Sequence, residues 1–301
     1  MNRDLERALT AAARGDEVAL AGFGLERLTL AGGGIPPSGY DWEESLTVTG
    51  DRTVRLLSRR SIADVSSEPV GEFLDSCSKE RLRAIIELVR DSKMDELPPF
   101  RVEPTEPRLR MIVAAGGIRQ QIPIGVSDPT ALQPLLPLLQ ELDRLAANVR
   151  ARPRMTLQVS LELPNSARAA KVRLPVTLRL RNSGDTAYWL THPRLLKRTP
   201  AWERVNLLFG LRPIIQPGFT PPPIDLHEAG LEPAQAEERD LVWIAANSEI
   251  ELSLTGVCEF ASPGLYLARA VYSSYIGEDL VAGRPRLRGC AFSNETEIQV
   301  R

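Results

Sequence analysis

The periodicity of the hydrophobic residues changes near residue 150, and this change constrains the fold more than any single motif. Before that point, stretches with helical spacing occur between stretches of strand-like alternation, whereas after it almost no helical period occurs. Spacing of i, i+3 and i+4 is typical of an amphipathic helix, and alternation is typical of a half-buried strand. A chain of 301 residues is long enough for two domains of ordinary size. We therefore expect two domains of different class, residues 1–150 and 155–301, joined by the aperiodic run 150–154.

The first half carries signals for helices and for hairpins. A helix is predicted near 78–92, where Ser78 is a suitable N-cap and four apolar residues form one stripe: Leu82, Ile85, Ile86 and Val89. A second helix is predicted near 134–149. Alternating apolar residues around Gly50-Asp51 and around Gly116-Gly117 predict two β-hairpins. Strands joined as hairpins, with the helices set apart, are typical of an α+β domain.

The second half consists of short runs of β-branched and apolar residues in alternation. Turn-forming residues separate these runs, for example at 182–185 (NSGD) and 262–264 (SPG). Many short strands at such spacing predict an antiparallel β-sandwich.

The composition argues against several classes of function. The chain has 37 Lys and Arg residues against 39 Asp and Glu residues, so no strong positive field would recruit nucleic acid or an acidic membrane surface. No stretch reaches the roughly 18 apolar residues that a membrane-spanning helix needs. The first twenty residues carry charges throughout and lack the apolar run of a secretory signal. We expect a cytoplasmic protein that binds neither nucleic acid nor membrane.

No arrangement of residues in the sequence is typical of catalysis or of metal binding. The glycine run 32–34 is followed by two prolines instead of the helix that would hold a phosphate. The only histidines, His192 and His227, stand in neither a zinc-binding nor a catalytic-triad register. We predict no catalytic residue, no metal and no cofactor. The three cysteines, Cys77, Cys258 and Cys290, are too scattered for a disulfide framework, so we expect free thiols.

Three passages of the second half resemble bacterial immunoglobulin-like domains: 174–185 (LPVTLRLRNSGD), 260–272 (FASPGLYLARAVY) and 289–300 (GCAFSNETEIQV). The intracellular proteinase-inhibitor type is the nearest named relative. The resemblance implies an immunoglobulin-like sandwich over about 155–300. It implies no inhibitory residue, because nothing in the chain matches a reactive-site motif. Tyr266, just after Pro263-Gly264, fits the corner tyrosine whose hydroxyl bonds back to the backbone in this fold. The first half resembles small α+β domains of uncharacterised bacterial proteins.

Two segments are candidates for contact with a partner protein. The stretch 212–240 holds six prolines beside Phe219, three of them consecutive at Pro221, Pro222 and Pro223. A stiff polyproline segment is suited to docking, and the alternative is a loop packed across its own domain. In the second segment Arg284, Arg286 and Arg288 recur at a period of two, which places three guanidinium groups on one strand face. That face can bind a phosphate or an acidic partner, and the alternative is a solvated edge that prevents aggregation.

These observations favour a non-catalytic protein-binding or regulatory protein that uses its β-sandwich as the recognition module. Two alternatives remain open at this stage. One is a hydrolase or other enzyme whose site has no recognisable motif, and the other is a protease inhibitor that acts through a sandwich loop. Resemblance in fold does not separate these functions, because unrelated functions share one fold.

Overall fold

The computed structural model describes residues 3–30, 44–59, 68–92, 94, 108–125, 132–168, 171–191, 204–211, 227–230, 241–260, 263–274 and 280–301. The chain is mostly β, with large antiparallel sheets and few helices, as the sequence predicts at this coarse level. It divides into two compact units. The first unit comprises Met1–Ser61 and Glu72–Arg154, and the second comprises Ile62–Gly71 and Met155–Arg301. The second unit therefore includes a short piece of the region that the sequence analysis assigned to 1–150, and Val70 of that piece is buried in the second unit's core.

The helices of the first unit are α1 (Arg3–Arg14), α2 (Glu17–Ala21), α3 (Lys79–Asp91) and α4 (Leu136–Val149). Helix α3 lies where the apolar stripe predicts a helix, and its first turn is capped by the Ser78 hydroxyl, which accepts a hydrogen bond of 3.1 Å from the backbone N–H of Arg81. The carboxylate of Asp16 caps α2 in the same way. Within the described residues, no helix combines the length and the apolar character that a membrane span requires.

The strands of the first unit are β1 (Gly24–Leu30), β2 (Glu44–Thr49), β3 (Thr53–Ser58), β5 (Arg108–Ala115) and β6 (Ile118–Gly125), together with β4 (Val70–Ser76) from Glu72 onward. They are ordered β4-β3-β2-β1-β5-β6. Strands β2 and β3 form one antiparallel hairpin, and β5 and β6 form another, at the two turns that the sequence predicts. Strand β1 joins the hairpins, because it pairs with both β2 and β5.

One hydrophobic core holds the first unit together. The apolar stripes of α1, α3 and α4 are buried in the same cluster as inward residues of the sheet, such as Leu46, Val48 and Leu56. Each fully buried Leu, Ile or Val contributes about 1.5–3 kcal/mol relative to its exposed state. The helices are therefore held mainly by this packing, since isolated helices of such length are marginal in water.

The second unit contains the remaining strands: β7 (Pro153–Glu162), β8 (Ser166–Ala167), β9 (Lys171–Asn182), β10 (Tyr188–Thr191), β11 (Arg204–Leu211), β12 (His227–Gly230), β13 (Leu241–Ile244), β14 (Ser248–Glu259), β15 (Gly264–Ser274), β16 (Leu280–Val281), β17 (Arg284–Pro285), β18 (Gly289–Phe292) and β19 (Thr296–Val300). One sheet has the order β14-β9-β7, and another has the order β12-β11-β15-β19-β8, with β18 also paired to β15. Strands β10 and β13 form a separate pair, as do β16 and β17.

The core of the second unit lies between its sheets. Strand β9 alternates, so that Leu174, Val176, Leu178 and Leu180 are buried while Arg173 on the other face is exposed. These inward residues belong to the same cluster as Tyr266, Ala268, Ala270 and Tyr272 of β15. Residues from two different sheets thus share one core.

Candidate partner-binding site

Strands β10 and β13 display two tryptophans on one face. The strands pair in antiparallel register with Trp189 opposite Trp243. Their neighbours Tyr188, Leu190 and Ile244 are completely buried in the core. Because successive side chains in a strand point to opposite faces, Trp189 and Trp243 point away from that core. The two indole rings meet edge to face, with centroids 4.9 Å apart and an interplanar angle of 62°.

The arginine segment 284–288 runs beside β10 on the same side. The backbone N–H of Leu287 donates a hydrogen bond of 3.0 Å to the carbonyl oxygen of Trp189, and Arg286 forms a parallel bridge with Trp189. Leu287 is buried in the core, so Arg286 and Arg288 on either side of it point to the tryptophan face. The Arg286 Nη2 donates a hydrogen bond of 2.7 Å to Thr191 Oγ1.

Arg284 lies directly over one of the tryptophans. Its guanidinium carbon is 5.1 Å from the ring centroid of Trp243, within the range of a cation–π contact. The side chain is exposed, and no described residue offers its guanidinium a hydrogen-bond acceptor or an ion-pair partner. Burial lowers the pKa of Arg288 from its ordinary value, although an arginine remains protonated at neutral pH. The segment therefore keeps its positive charge.

We call this face the Trp–Arg surface and define it by Trp189, Thr191, Trp243, Arg284 and Arg286. Leu280 of the β16–β17 hairpin is 56% exposed, but it pairs with Pro285 and therefore lies on the opposite face of the hairpin from Arg284. Tryptophan and arginine are the side chains most enriched among the residues that dominate binding energy at protein interfaces. The surface combines flat aromatic area with positive charge, a combination suited to binding.

No protein-family model matches the chain, and no curated protein is significantly similar to it.

The other candidates from the sequence are placed as follows. Phe219, Pro221, Pro222, Pro223 and His192 lie outside the described residues. His227 begins β12, where its backbone pairs with Phe209 of β11. Tyr266 is buried, with its ring edge to face against Phe260 at 4.9 Å. Its role as a corner residue stays a prediction.

The described residues contain no group of three or more His, Cys, Asp or Glu side chains that could hold a metal ion. Cys77 immediately precedes Ser78, the N-cap of α3, a position where a helix terminus tends to lower a thiol pKa. Here burial raises the pKa of Cys77 and outweighs the opposite effects of its backbone hydrogen bond and of Arg81 and Arg52. A protonated, buried thiol is a poor nucleophile.

Sequence reasoning identified the arginines of this surface but not its tryptophans. The period of two at 284–288 is a local pattern and can be read directly. Trp189 and Trp243 become neighbours only because β10 pairs with β13, which are far apart along the chain. The only local signal was the position of Trp189 between Tyr188 and Leu190, which puts a large aromatic side chain on the face opposite the core.

Proposed function

We propose that the protein is a non-catalytic, cytoplasmic protein-binding or regulatory protein in which an α+β domain is joined to an immunoglobulin-like sandwich. In this proposal the sandwich is the recognition module, and the Trp–Arg surface is its contact with the partner. Two packed antiparallel sheets with one shared core support the assignment of the sandwich.

The observation that carries the proposal is the outward pair Trp189 and Trp243 with Arg284 above it. A core gains stability by turning large aromatic side chains inward, yet these two stand on the face opposite the fully buried Tyr188, Leu190 and Ile244. Burying such area against a partner is a main source of binding energy.

The surface is also held rigidly. The Tyr272 hydroxyl donates a hydrogen bond of 3.0 Å to the carbonyl oxygen of Thr191, at the end of β10. The Tyr188 hydroxyl donates to the carbonyl oxygen of Thr156 at 2.7 Å. Because these bonds fix β10 from its inner side, its outer side chains lose little further freedom on binding.

Affinity capture with two variants tests the proposal. Wild-type protein, Trp243→Ala and the control Arg173→Ala are immobilised in equal amounts, and proteins captured from the native cell are identified. Arg173 is an exposed arginine of β9 in the same unit. We expect wild type and the control to capture the same partner. Once that partner is purified, its affinity for Trp243→Ala should be about tenfold or more lower than its affinity for wild type.

A thermal melt of each variant establishes that it is folded. The proposal is wrong if folded Trp243→Ala binds that partner as tightly as wild type, or if the partner is a small molecule that the protein converts to a product.

A further inference from the structure

We propose that the Trp–Arg surface recognises an acidic segment of the partner protein. Carboxylates of that segment would pair with Arg284 and Arg286, and an apolar side chain beside them would lie against the tryptophans. This inference rests on the proposed function and adds the chemical class of the ligand.

The electrostatics of Arg284 differ from those of Arg179 and Arg269 in the second unit. Arg179, on the exposed face of β9, contacts the carboxylates of Glu162, Glu249 and Glu251. Arg269 pairs with Glu295 at 2.8 Å. No carboxylate among the described residues pairs with Arg284, whose visible contact is the Trp243 ring. Among the described residues, an external carboxylate would compete with no internal carboxylate at Arg284 and with three at Arg179.

Hydrogen-bonding capacity points to the same class of ligand. A guanidinium has only donors, and its planar arrangement matches the two oxygens of a carboxylate. The hydroxyl oxygen of Thr191 already accepts from Arg286. The surface thus offers mainly donors, and a ligand that complements it is rich in acceptors and negatively charged.

The apolar part of the surface argues for a segment with mixed character rather than for a purely acidic one. The rings of Trp189 and Trp243 are half-buried and keep part of their apolar area at the surface. Aromatic rings bury large apolar area at a low cost in conformational entropy, which favours an apolar side chain next to the carboxylates. Nucleic acid also combines negative charge with groups that stack on tryptophan. A peptide fits better, because the whole chain has a net charge of −2 and lacks the positive field typical of nucleic-acid binding.

Two synthetic peptides provide the test with the purified full-length chain. One alternates Glu and Phe, and the other alternates Lys and Phe at the same length; both carry a fluorescent label, and binding is followed by anisotropy. We expect saturable binding of the Glu–Phe peptide and at least about tenfold weaker binding of the Lys–Phe peptide. The variant Arg284→Glu should reverse this preference, and the control Arg173→Glu should leave it unchanged.

Since Arg284 is exposed, its replacement should leave the fold intact, and equal melting temperatures check this. The proposal is overturned if wild type binds both peptides equally or neither, if Arg284→Glu has no effect, or if labelled oligothymidine binds more tightly than the Glu–Phe peptide. Any of these results, combined with loss of the cellular partner in Trp243→Ala, would leave the recognition function standing and remove only the acidic ligand class.

Discussion

The hydroxyl of Tyr188 donates a hydrogen bond of 2.7 Å to the backbone carbonyl of Thr156, and both residues are completely buried. Thr156 belongs to β7 and Tyr188 to β10, so the bond joins two strands from different sheets of the second unit. Tyr188 directly precedes Trp189. The same strand therefore has a polar anchor on its inner side and the tryptophan of the Trp–Arg surface on its outer side.

Replacing Tyr188 by Phe should destabilise the second unit. The variant keeps the ring but removes the donor, and the carbonyl of Thr156 remains in an apolar core. We expect the free energy of unfolding to fall by about 0.5–1.5 kcal/mol, measured from denaturant midpoints. An unchanged midpoint would mean that the hydroxyl contributes nothing to the folded state.

The same residue predicts a dependence of stability on alkaline pH. Burial raises the pKa of Tyr188 well above its ordinary value, with a smaller contribution from Tyr272. The unfolded chain loses the phenol proton near the ordinary tyrosine pKa of about 10. The folded protein still keeps that proton at the same pH. This contribution to stability is complete below that pH and is lost as the pH rises further. The free energy of unfolding should consequently decline more steeply above about pH 10 in wild type than in Tyr188→Phe. Parallel declines in the two proteins would contradict this prediction.

The local parts of the fold could be predicted from the sequence, and the long-range parts could not. The stripe from Leu82 to Val89 and the cap at Ser78 lie within one helix, so the pattern alone places α3. The hairpins also need only neighbouring residues. By contrast, the pairing of β1 with β5 and of β10 with β13 depends on contacts between distant segments, for which one sequence gives no register.

The candidate site shows the same limit. The period of two among Arg284, Arg286 and Arg288 could be read, while the tryptophans beside them required the strand pairing. The resemblance to immunoglobulin-like domains predicts that Tyr266 is an anchoring tyrosine. It predicts no such role for Tyr188, whose hydroxyl has a defined acceptor in another strand.

Tyr266→Phe is expected to destabilise the second unit if Tyr266 is the corner residue. Loss of one buried hydrogen bond would lower the free energy of unfolding by about 0.5–1.5 kcal/mol. The ring contact with Phe260 is retained in this variant, so the measurement isolates the hydroxyl. If the denaturation midpoint does not move, Tyr266 is held by its ring alone and the corner assignment is wrong.

Gly71 should not tolerate a side chain. Its φ is +133°, and a Cβ built on it would lie 2.1 Å from the carbonyl oxygen of Met155. Gly71→Ala must therefore move the backbone, and we expect a loss of at least about 3 kcal/mol in the free energy of unfolding. Gly283 is the matched control in the same unit, because its φ is +72° but nothing lies within 4 Å of its Cβ position. Gly283→Ala should cost only about 1 kcal/mol. Equal losses in the two variants would contradict the prediction that Gly71 is the more sensitive position.

The cysteines are expected to be free but slow to react in the folded protein. Cys77 and Cys290 are buried, and burial raises the pKa of the Cys77 thiol, so little of its reactive thiolate forms at neutral pH. A thiol reagent should therefore label these two positions slowly in native protein, with the rate at Cys77 increasing as the pH is raised.

After denaturation without reductant, all three cysteines of the chain should react. Mass spectrometry of the labelled peptides assigns each site, and Cys77→Ser removes one label as a control. A count of one thiol per denatured chain would reveal a disulfide and contradict the expectation of free thiols. Rapid labelling of native Cys77 at neutral pH would show that the helix terminus has a larger effect on its pKa than burial has.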